Sequence, residues 1–181
     1  MISEFNTFVG NRMLGWFLAH PTKRPHINQL ARELGISPAS VKRYADLFVK
    51  EGILRATSAG TARLLSLDNE TVMVKEMKRL YMVILLLEAG ITGIARNAIS
   101  LVMYGSASAG TFDEQSDIDI LVLGNESDVD FERVAEIEGI VGHELQVTVI
   151  PCYRWEEMKQ RGDAFVAGVI SRHVLFHGAE P

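Results

Sequence analysis

The segment from Leu101 to Gly124 constrains this chain more than any other part of its sequence. It begins with an apolar run, continues through a Gly-Ser pair and a short polar stretch, and ends in a second apolar run that carries two aspartates. Because side chains alternate between the two faces of a β-strand, we expect Asp117 and Asp119 on the same face. Two adjacent carboxylates repel each other unless a cation lies between them, and oxygen ligands of this kind suit Mg²⁺.

The Gly-Ser pair ahead of the aspartates is suited to bind phosphate. Gly105 and Ser106 follow the first apolar run, so their backbone N–H groups and the serine hydroxyl can be offered to phosphate oxygens. A phosphate-binding turn followed closely by two metal-binding carboxylates predicts phosphoryl or nucleotidyl transfer.

Together these residues resemble the signature of the DNA polymerase β superfamily of nucleotidyltransferases, and more closely its minimal nucleotidyltransferase branch. The motif consists of Gly105-Ser106, Gly110, Ser116-Asp117 and Asp119. Its fixed spacing is far more specific than a lone glycine motif. The resemblance continues more weakly over residues 94–178 and does not reach the N-terminal third of the chain.

The resemblance implies a role for each residue of the motif. Asp117 and Asp119 would hold Mg²⁺, which neutralises developing charge and orients attack on the α-phosphorus as pyrophosphate leaves. Ser106 would bind the triphosphate of a nucleoside triphosphate, with ATP as the expected nucleotide. The nucleotide-binding set implied in this way is Gly105, Ser106, Gly110 and Ser116.

The family's pattern has a third carboxylate on a later strand, and this chain departs from it there. In the strand-like segment 143–150 the best-aligned residue is Gln146, whose neutral amide binds Mg²⁺ weakly and cannot accept a proton. Glu144 is the candidate catalytic replacement, on condition that the strand register shifts or its longer side chain reaches back. The sequence therefore leaves catalytic competence open.

The first 68 residues predict a separate domain of helices and a hairpin. Apolar residues at helical spacing predict a helix that stops before Pro21 and a second helix over 27–34, which Gly35 can end in the left-handed conformation. Ser37 is a good N-cap for a third helix, and two short strands around a Gly-containing turn follow. This order resembles the winged helix-turn-helix family, whose recognition helix enters the major groove of DNA.

Charge is distributed unevenly along the chain. Through Ser66 there are nine basic and four acidic residues, whereas the remainder has nine basic and 19 acidic residues. A basic N-terminal domain is the natural candidate for binding double-stranded DNA. The candidate DNA-binding residues are Ser40, Lys42, Arg43, Arg55 and Arg63. The alternative is that these charges lie on a surface used for homodimerisation or for another protein partner.

Residues 69–181 form the predicted nucleotidyltransferase domain, so the expected fold class is α+β, with a small mixed sheet, flanking helices and a winged helix-turn-helix domain before them. A long helix within 69–90 is apolar over more than one face, which is typical of a buried helix. We expect it to link the domains and to pack against both, or against a second subunit.

The sequence argues against a disulfide-stabilised, a secreted and a membrane-spanning protein. The single cysteine, Cys152, excludes an intramolecular disulfide framework and fits a reducing cytoplasm. The N-terminus lacks the pattern of a signal peptide. The most apolar run, 82–87, is too short to span a bilayer, so we expect a cytoplasmic protein without a membrane partner.

Two functions remain after these exclusions. The first is an Mg²⁺-dependent nucleotidyltransferase that moves a nucleoside monophosphate onto a protein or small-molecule hydroxyl, with a DNA-binding winged helix. The second is a DNA-binding regulator whose degenerate transferase domain senses nucleotide, or an antitoxin paired with a helical toxin-like protein. The missing aspartate favours the second function, and the retained Gly-Ser and Asp-x-Asp residues favour the first.

Overall fold

The computed structural model describes residues 8–60 and 62–181. The chain divides into two compact units, Met1–Tyr81 and Met82–Pro181. In chain order the first unit contains α1 (Val9–Ala19), α2 (Ile27–Leu34), α3 (Pro38–Lys50), β1 (Leu54–Ala59) and β2 (Ala62–Leu67). Helix α4 (Val72–Ala89) follows and contains the point of division.

Helix α2 ends and helix α3 begins as the sequence predicts. Gly35 ends α2 in the left-handed conformation with φ 61°, where a residue with a Cβ would be strained. Ser37 caps α3 by accepting a hydrogen bond from the backbone N–H of Ser40, and Pro38 occupies the first helical position. A short left-handed turn therefore joins the two helices.

The hairpin of the first unit has a short turn. The antiparallel pairing runs from Leu54 opposite Leu67 to Ala59 opposite Ala62, so only two residues separate the strands. The backbone N–H of Leu65 also donates to the carbonyl of Pro25 over 3.0 Å, which attaches the hairpin to the segment before α2. The core beneath it includes Met13, Phe17, Leu30, Val41, Ala45 and Leu65.

Helix α4 is only partly buried, in contrast to the expectation for the long helix. Val74, Met82 and Leu86 are completely buried, whereas Leu80 is 59% and Leu87 49% exposed. The helix packs through one face, and apolar residues on the opposite face stay in contact with solvent. Among residues 8–60 and 62–181, no helix combines the length and the apolar character needed to cross a membrane.

The second unit is built around a four-stranded mixed sheet with the order β5-β4-β3-β6. Strand β3 pairs antiparallel with β4 and β6, and β4 pairs parallel with β5. The strands and helices are β3 (Ser100–Met103), α5 (Gly105–Ala109), β4 (Ile118–Leu123), α6 (Phe131–Val141), β5 (Leu145–Ile150), α7 (Cys152–Gln160), α8 (Ala164–Ser171) and β6 (Val174–Gly178). The predicted α+β class with a small mixed sheet and flanking helices is confirmed.

Residues from the sheet and from α7 and α8 form an apolar cluster in the second unit. Its largest member is Trp155, which is 1% exposed. The other buried members are Val102, Leu121, Leu123, Ile150, Val166 and Val169. Burial of these side chains fixes the two helices against the sheet and so determines what lies beside the Gly-Ser turn.

Candidate functional site

Asp119 in β4 lies directly beside the Gly-Ser turn. The backbone N–H of Tyr104 donates to the Asp119 carbonyl over 3.0 Å. Gly105 has φ 65°, and a Cβ at this residue would lie 1.9 Å from Oδ2 of Asp119. The turn and the carboxylate are therefore in such close contact that only glycine fits at residue 105.

Asp117 lies just before β4 and is exposed, whereas Asp119 is half-buried. Burial, and after it the negative charge of Asp117, raises the pKa of the Asp119 carboxyl above its usual value. The structure thus brings the two predicted carboxylates within electrostatic range of each other. Such a pair fits a hard divalent cation, because the cation relieves both the repulsion and the desolvation of Asp119.

Gln146 is the neighbour of Asp119 in the parallel β4–β5 pair. The pairing runs without a shift from Ile118–Leu145 to the ends of both strands, so the register change that would bring Glu144 opposite Asp119 is not present. Glu144 is exposed and precedes β5, and its carbonyl accepts a hydrogen bond from the backbone N–H of Ile118 over 2.8 Å. Only the length of its side chain could bring its carboxylate back to the pair.

In the part of the chain that the structure describes, no group of three or more His, Cys, Asp or Glu side chains is arranged to hold a metal ion. The carboxylates predicted to bind a metal ion here are Asp117 and Asp119. Strand pairing places Gln146 next to Asp119.

Ser106 lies in the first turn of α5 with a half-buried side chain. Its carbonyl accepts the backbone N–H of Thr111 over 3.0 Å. Its hydroxyl has no hydrogen-bond partner among the described residues, which leaves it available to a ligand. Gly110 ends α5 with φ 66°, the tight turn expected for this residue.

Ser116 is engaged within its own loop. Its hydroxyl donates to Asp113 Oδ1 over 2.9 Å and accepts from the backbone N–H of Asp113 over 2.9 Å. Nδ1 of His143 lies 2.9 Å from the Ser116 carbonyl. These bonds hold the segment that leads into Asp117, so in this structure Ser116 acts on the shape of the loop, and its predicted contact with nucleotide stays a prediction.

A cleft beside the Gly-Ser turn was not anticipated from the sequence. We call it the α8 cleft; its volume is about 270 Å³. It is lined by Tyr104, Gly105, Ser108, Ala164, Phe165, Gly168, Val169 and Arg172. Ser108, which is 1% exposed, places its hydroxyl 2.9 Å from the Gly105 carbonyl and 3.4 Å from the Arg172 carbonyl. The sequence carries no signal for this cleft, because the fold brings together residues far apart in the chain.

The candidate DNA-binding residues of α3 differ in their surroundings. Lys42 is exposed and its ammonium group has no partner among residues 8–60 and 62–181. The guanidinium of Arg43 lies over the Tyr44 ring, 4.8 Å from its centroid. The hydroxyl of Ser40 accepts a hydrogen bond from the Ser37 hydroxyl over 2.9 Å.

Both arginines of the hairpin form ion pairs. Arg55 lies 2.8 Å from Asp68, and the interaction with this carboxylate raises the pKa of the Arg55 guanidinium. Arg63 on β2 pairs with Asp46 on α3. Of the five candidates, Lys42 is therefore the cation least occupied by the protein itself.

Residues 94–171 match the family model described as "Nucleotidyltransferase domain". The match lies in the second unit and includes the Gly-Ser turn, both aspartates and every lining residue of the α8 cleft except Arg172. It supports the nucleotidyltransferase part of the prediction, for these residues. No curated protein sequence matches the chain.

Two solved structures are similar to the chain at low identity. One is a transcriptional regulator, with 16% identity, a TM-score of 0.32, and coverage of 46% of this chain and 57% of that chain. The other is HmgR of Pseudomonas aeruginosa, with 15% identity, a TM-score of 0.33, and coverage of 80% of this chain and 51% of that chain. The chain thus spans about half the length of each.

Proposed function

We propose that the protein is an Mg²⁺-dependent nucleotidyltransferase that transfers a nucleoside monophosphate from a nucleoside triphosphate, with ATP as the first nucleotide to test, to a hydroxyl of a protein or a small molecule. The observation that carries the proposal is the contact between Gly105 and Asp119. This contact supports the proposal because it brings the turn proposed to bind phosphate next to a carboxylate proposed to bind Mg²⁺.

Each residue of the site has a distinct role in the proposed reaction. Asp117 and Asp119 hold Mg²⁺, which when bound neutralises charge on the phosphates and lowers the pKa of an attacking hydroxyl. Ser106 donates its free hydroxyl to a phosphate oxygen. The bare backbone of Gly105 lets the phosphates approach the turn. Because the chain supplies mainly position and charge, its catalytic power depends on how well the phosphates are oriented.

A second candidate function is favoured by the pairing of Gln146 with Asp119. In the transferases that this domain resembles, a carboxylate at this position receives the proton of the attacking hydroxyl, and an amide cannot do so. A domain with two carboxylates and an amide would still bind nucleotide with Mg²⁺ and could act as a nucleotide sensor in a DNA-binding regulator or an antitoxin. The exposed Glu144 is the remaining candidate base for the enzyme.

One labelling experiment separates the two functions. The protein is incubated with Mg²⁺ and each α-labelled nucleoside triphosphate, and label transfer and pyrophosphate release are followed for the wild type and for the double variant Asp117→Ala/Asp119→Ala. Release above the level of the double variant supports the enzyme. Nucleotide binding without any release, tested in the presence of cell extract as a source of acceptor, supports the sensor. Absence of both binding and release rejects both.

The first unit is proposed to bind double-stranded DNA as a winged helix-turn-helix domain. Support comes from its three helices and hairpin, from the short left-handed turn at Gly35, and from the exposed cations Lys42 and Arg43 on α3. Binding through phosphates should weaken steeply as salt rises, because bound cations are released from the DNA. A salt series with duplex DNA tests this, and absence of binding at low salt rejects it.

A further inference from the structure

We infer that the α8 cleft binds the base of the nucleotide whose phosphates lie at the Gly-Ser turn; this inference rests on the proposed function. The cleft is continuous with the turn because Gly105 lines it and also contacts Asp119. Its volume of about 270 Å³ suits a nucleobase with part of its ribose, and is small for a complete nucleoside triphosphate. A nucleotide would therefore place its base in the cleft and extend its phosphates toward the carboxylates.

One wall of the cleft is aromatic. Phe165 is half-buried, and its ring meets that of Tyr104 edge-on, with centroids 5.4 Å apart and an interplanar angle of 89°. The Tyr104 hydroxyl lies 3.3 Å from the Thr148 hydroxyl, which fixes the second ring. Nucleobases stack favourably on such ring faces, and they do so with little regard to base identity.

The floor of the cleft is made of small residues on α8. Ala164 and Gly168 are one helical turn apart and both line the cleft. A Cβ placed on Gly168 would meet no atom within 4 Å. The space above Gly168 is therefore open, and a flat ring can lie close to the helix backbone.

Arg172 supplies the only positive charge among the residues that line the cleft. Within residues 8–60 and 62–181, its guanidinium has no carboxylate partner. The buried hydroxyl of Ser108 lies between Arg172, just after α8, and Gly105. It is 3.4 Å from the Arg172 carbonyl oxygen and 2.9 Å from the Gly105 carbonyl oxygen. Because this link keeps residue 172 near the Gly-Ser turn, we assign its guanidinium to a phosphate oxygen of the same nucleotide.

The test compares nucleotides with a ligand that has phosphates but no base. Calorimetric titrations of the full chain with Mg²⁺ use ATP, GTP, CTP, UTP and inorganic tripolyphosphate. Gly168→Leu fills the open floor, and Gly139→Leu is the matched control, because Gly139 is also helical and its Cβ would also meet nothing within 4 Å. Arg172→Ala removes the charge and keeps the carbonyl that Ser108 approaches.

We expect at least one nucleoside triphosphate to bind wild type about 10-fold more tightly than tripolyphosphate, the advantage of one stacked base. Gly168→Leu should abolish this difference in affinity without changing the affinity for tripolyphosphate. Gly139→Leu should preserve the difference. Arg172→Ala should weaken the binding of both the nucleoside triphosphates and tripolyphosphate. Equal affinities in the wild type, or an unchanged difference in Gly168→Leu, would overturn the inference and leave the proposed function standing. Failure of every ligand to bind would overturn both.

Discussion

Gln146 lies directly opposite Asp119 across the parallel pair β4–β5. Adjacent parallel strands are about 4.8 Å apart, and paired residues point to the same face of the sheet. Gln146 therefore lies beside Asp119, at the position where the pattern of the resembled family has its third carboxylate. Under the proposed function, the choice between nucleotide transfer and nucleotide binding alone depends on that one side chain and on the reach of Glu144.

The first prediction concerns Gln146→Asp. A third carboxylate should bind Mg²⁺ about 10-fold more tightly, since affinity rises with the number of charged oxygen ligands. If the domain is degenerate, the variant should also gain pyrophosphate release that the wild type lacks. Gln146→Asn, of the same size but neutral, is the control. Unchanged Mg²⁺ affinity in the aspartate variant would show that residue 146 does not face the ion.

The second prediction concerns the pH dependence of stability at Asp119. Folding raises the pKa of this carboxyl above its ordinary value of 3.8, so the folded state favours the protonated form. The stabilisation is complete below the ordinary pKa and is lost as pH rises through the raised one. At neutral pH without metal, Asp119→Asn should therefore be more stable than the wild type.

Thermal melts at several pH values and Mg²⁺ concentrations test this prediction. The stability difference between Asp119→Asn and the wild type should shrink as pH falls, because both residues are then uncharged. Saturating Mg²⁺ should stabilise the wild type, by about 2.7 kcal/mol at 100 times the dissociation constant, and should leave the variant almost unchanged. A wild type that Mg²⁺ does not stabilise would argue against a metal at this carboxylate.

The third prediction concerns the contact between Gly105 and Asp119. Gly105→Ala introduces a Cβ both at positive φ and 1.9 Å from the carboxylate, so the carboxylate must move. Gly142→Ala is the matched control, because Gly142 has φ 73° and open space around its Cβ. Positive φ alone should destabilise each variant by about 1 kcal/mol, and the clash should destabilise Gly105→Ala by roughly 1–3 kcal/mol more.

Nucleotide binding provides the second readout for these glycine variants. Gly105→Ala should lose measurable affinity for nucleotide with Mg²⁺, while Gly142→Ala should retain it. Equal loss of stability in the two variants would mean that the contact between the turn and Asp119 is looser than the structure indicates.

The proximity of the Gly-Ser turn to the aspartates could be predicted from the sequence because these residues are local. The Gly-Ser turn and the two aspartates lie within one hairpin-like segment, so strand alternation and turn chemistry were enough to bring them together. What could not be predicted depends on distant pairing. The neighbour of Asp119 is set by the β4–β5 register, and Phe165 and Arg172 reach the turn only because buried Trp155 and its neighbours fix α8 against the sheet.

The same limit applies to the first unit. Its helices and hairpin follow from apolar spacing, from Gly35 and from Ser37, which are local signals. Counting charges could not distinguish a free cation from a paired one. Arg63 is paired with Asp46 across elements that are separate in the sequence, so net charge alone overstated how many arginines are free of ion pairs.

The fourth prediction uses this distinction to test the DNA-binding proposal. Lys42→Ala should weaken binding to duplex DNA at every sequence and reduce the slope of log affinity against log salt by about 1, the loss of one phosphate contact. Arg55→Ala should change both quantities less, because the Arg55 guanidinium already pairs with Asp68 at 2.8 Å. Fluorescence anisotropy across a salt series measures the affinity and the salt slope for each variant. A larger effect of Arg55→Ala than of Lys42→Ala would place the DNA on the hairpin instead of on helix α3.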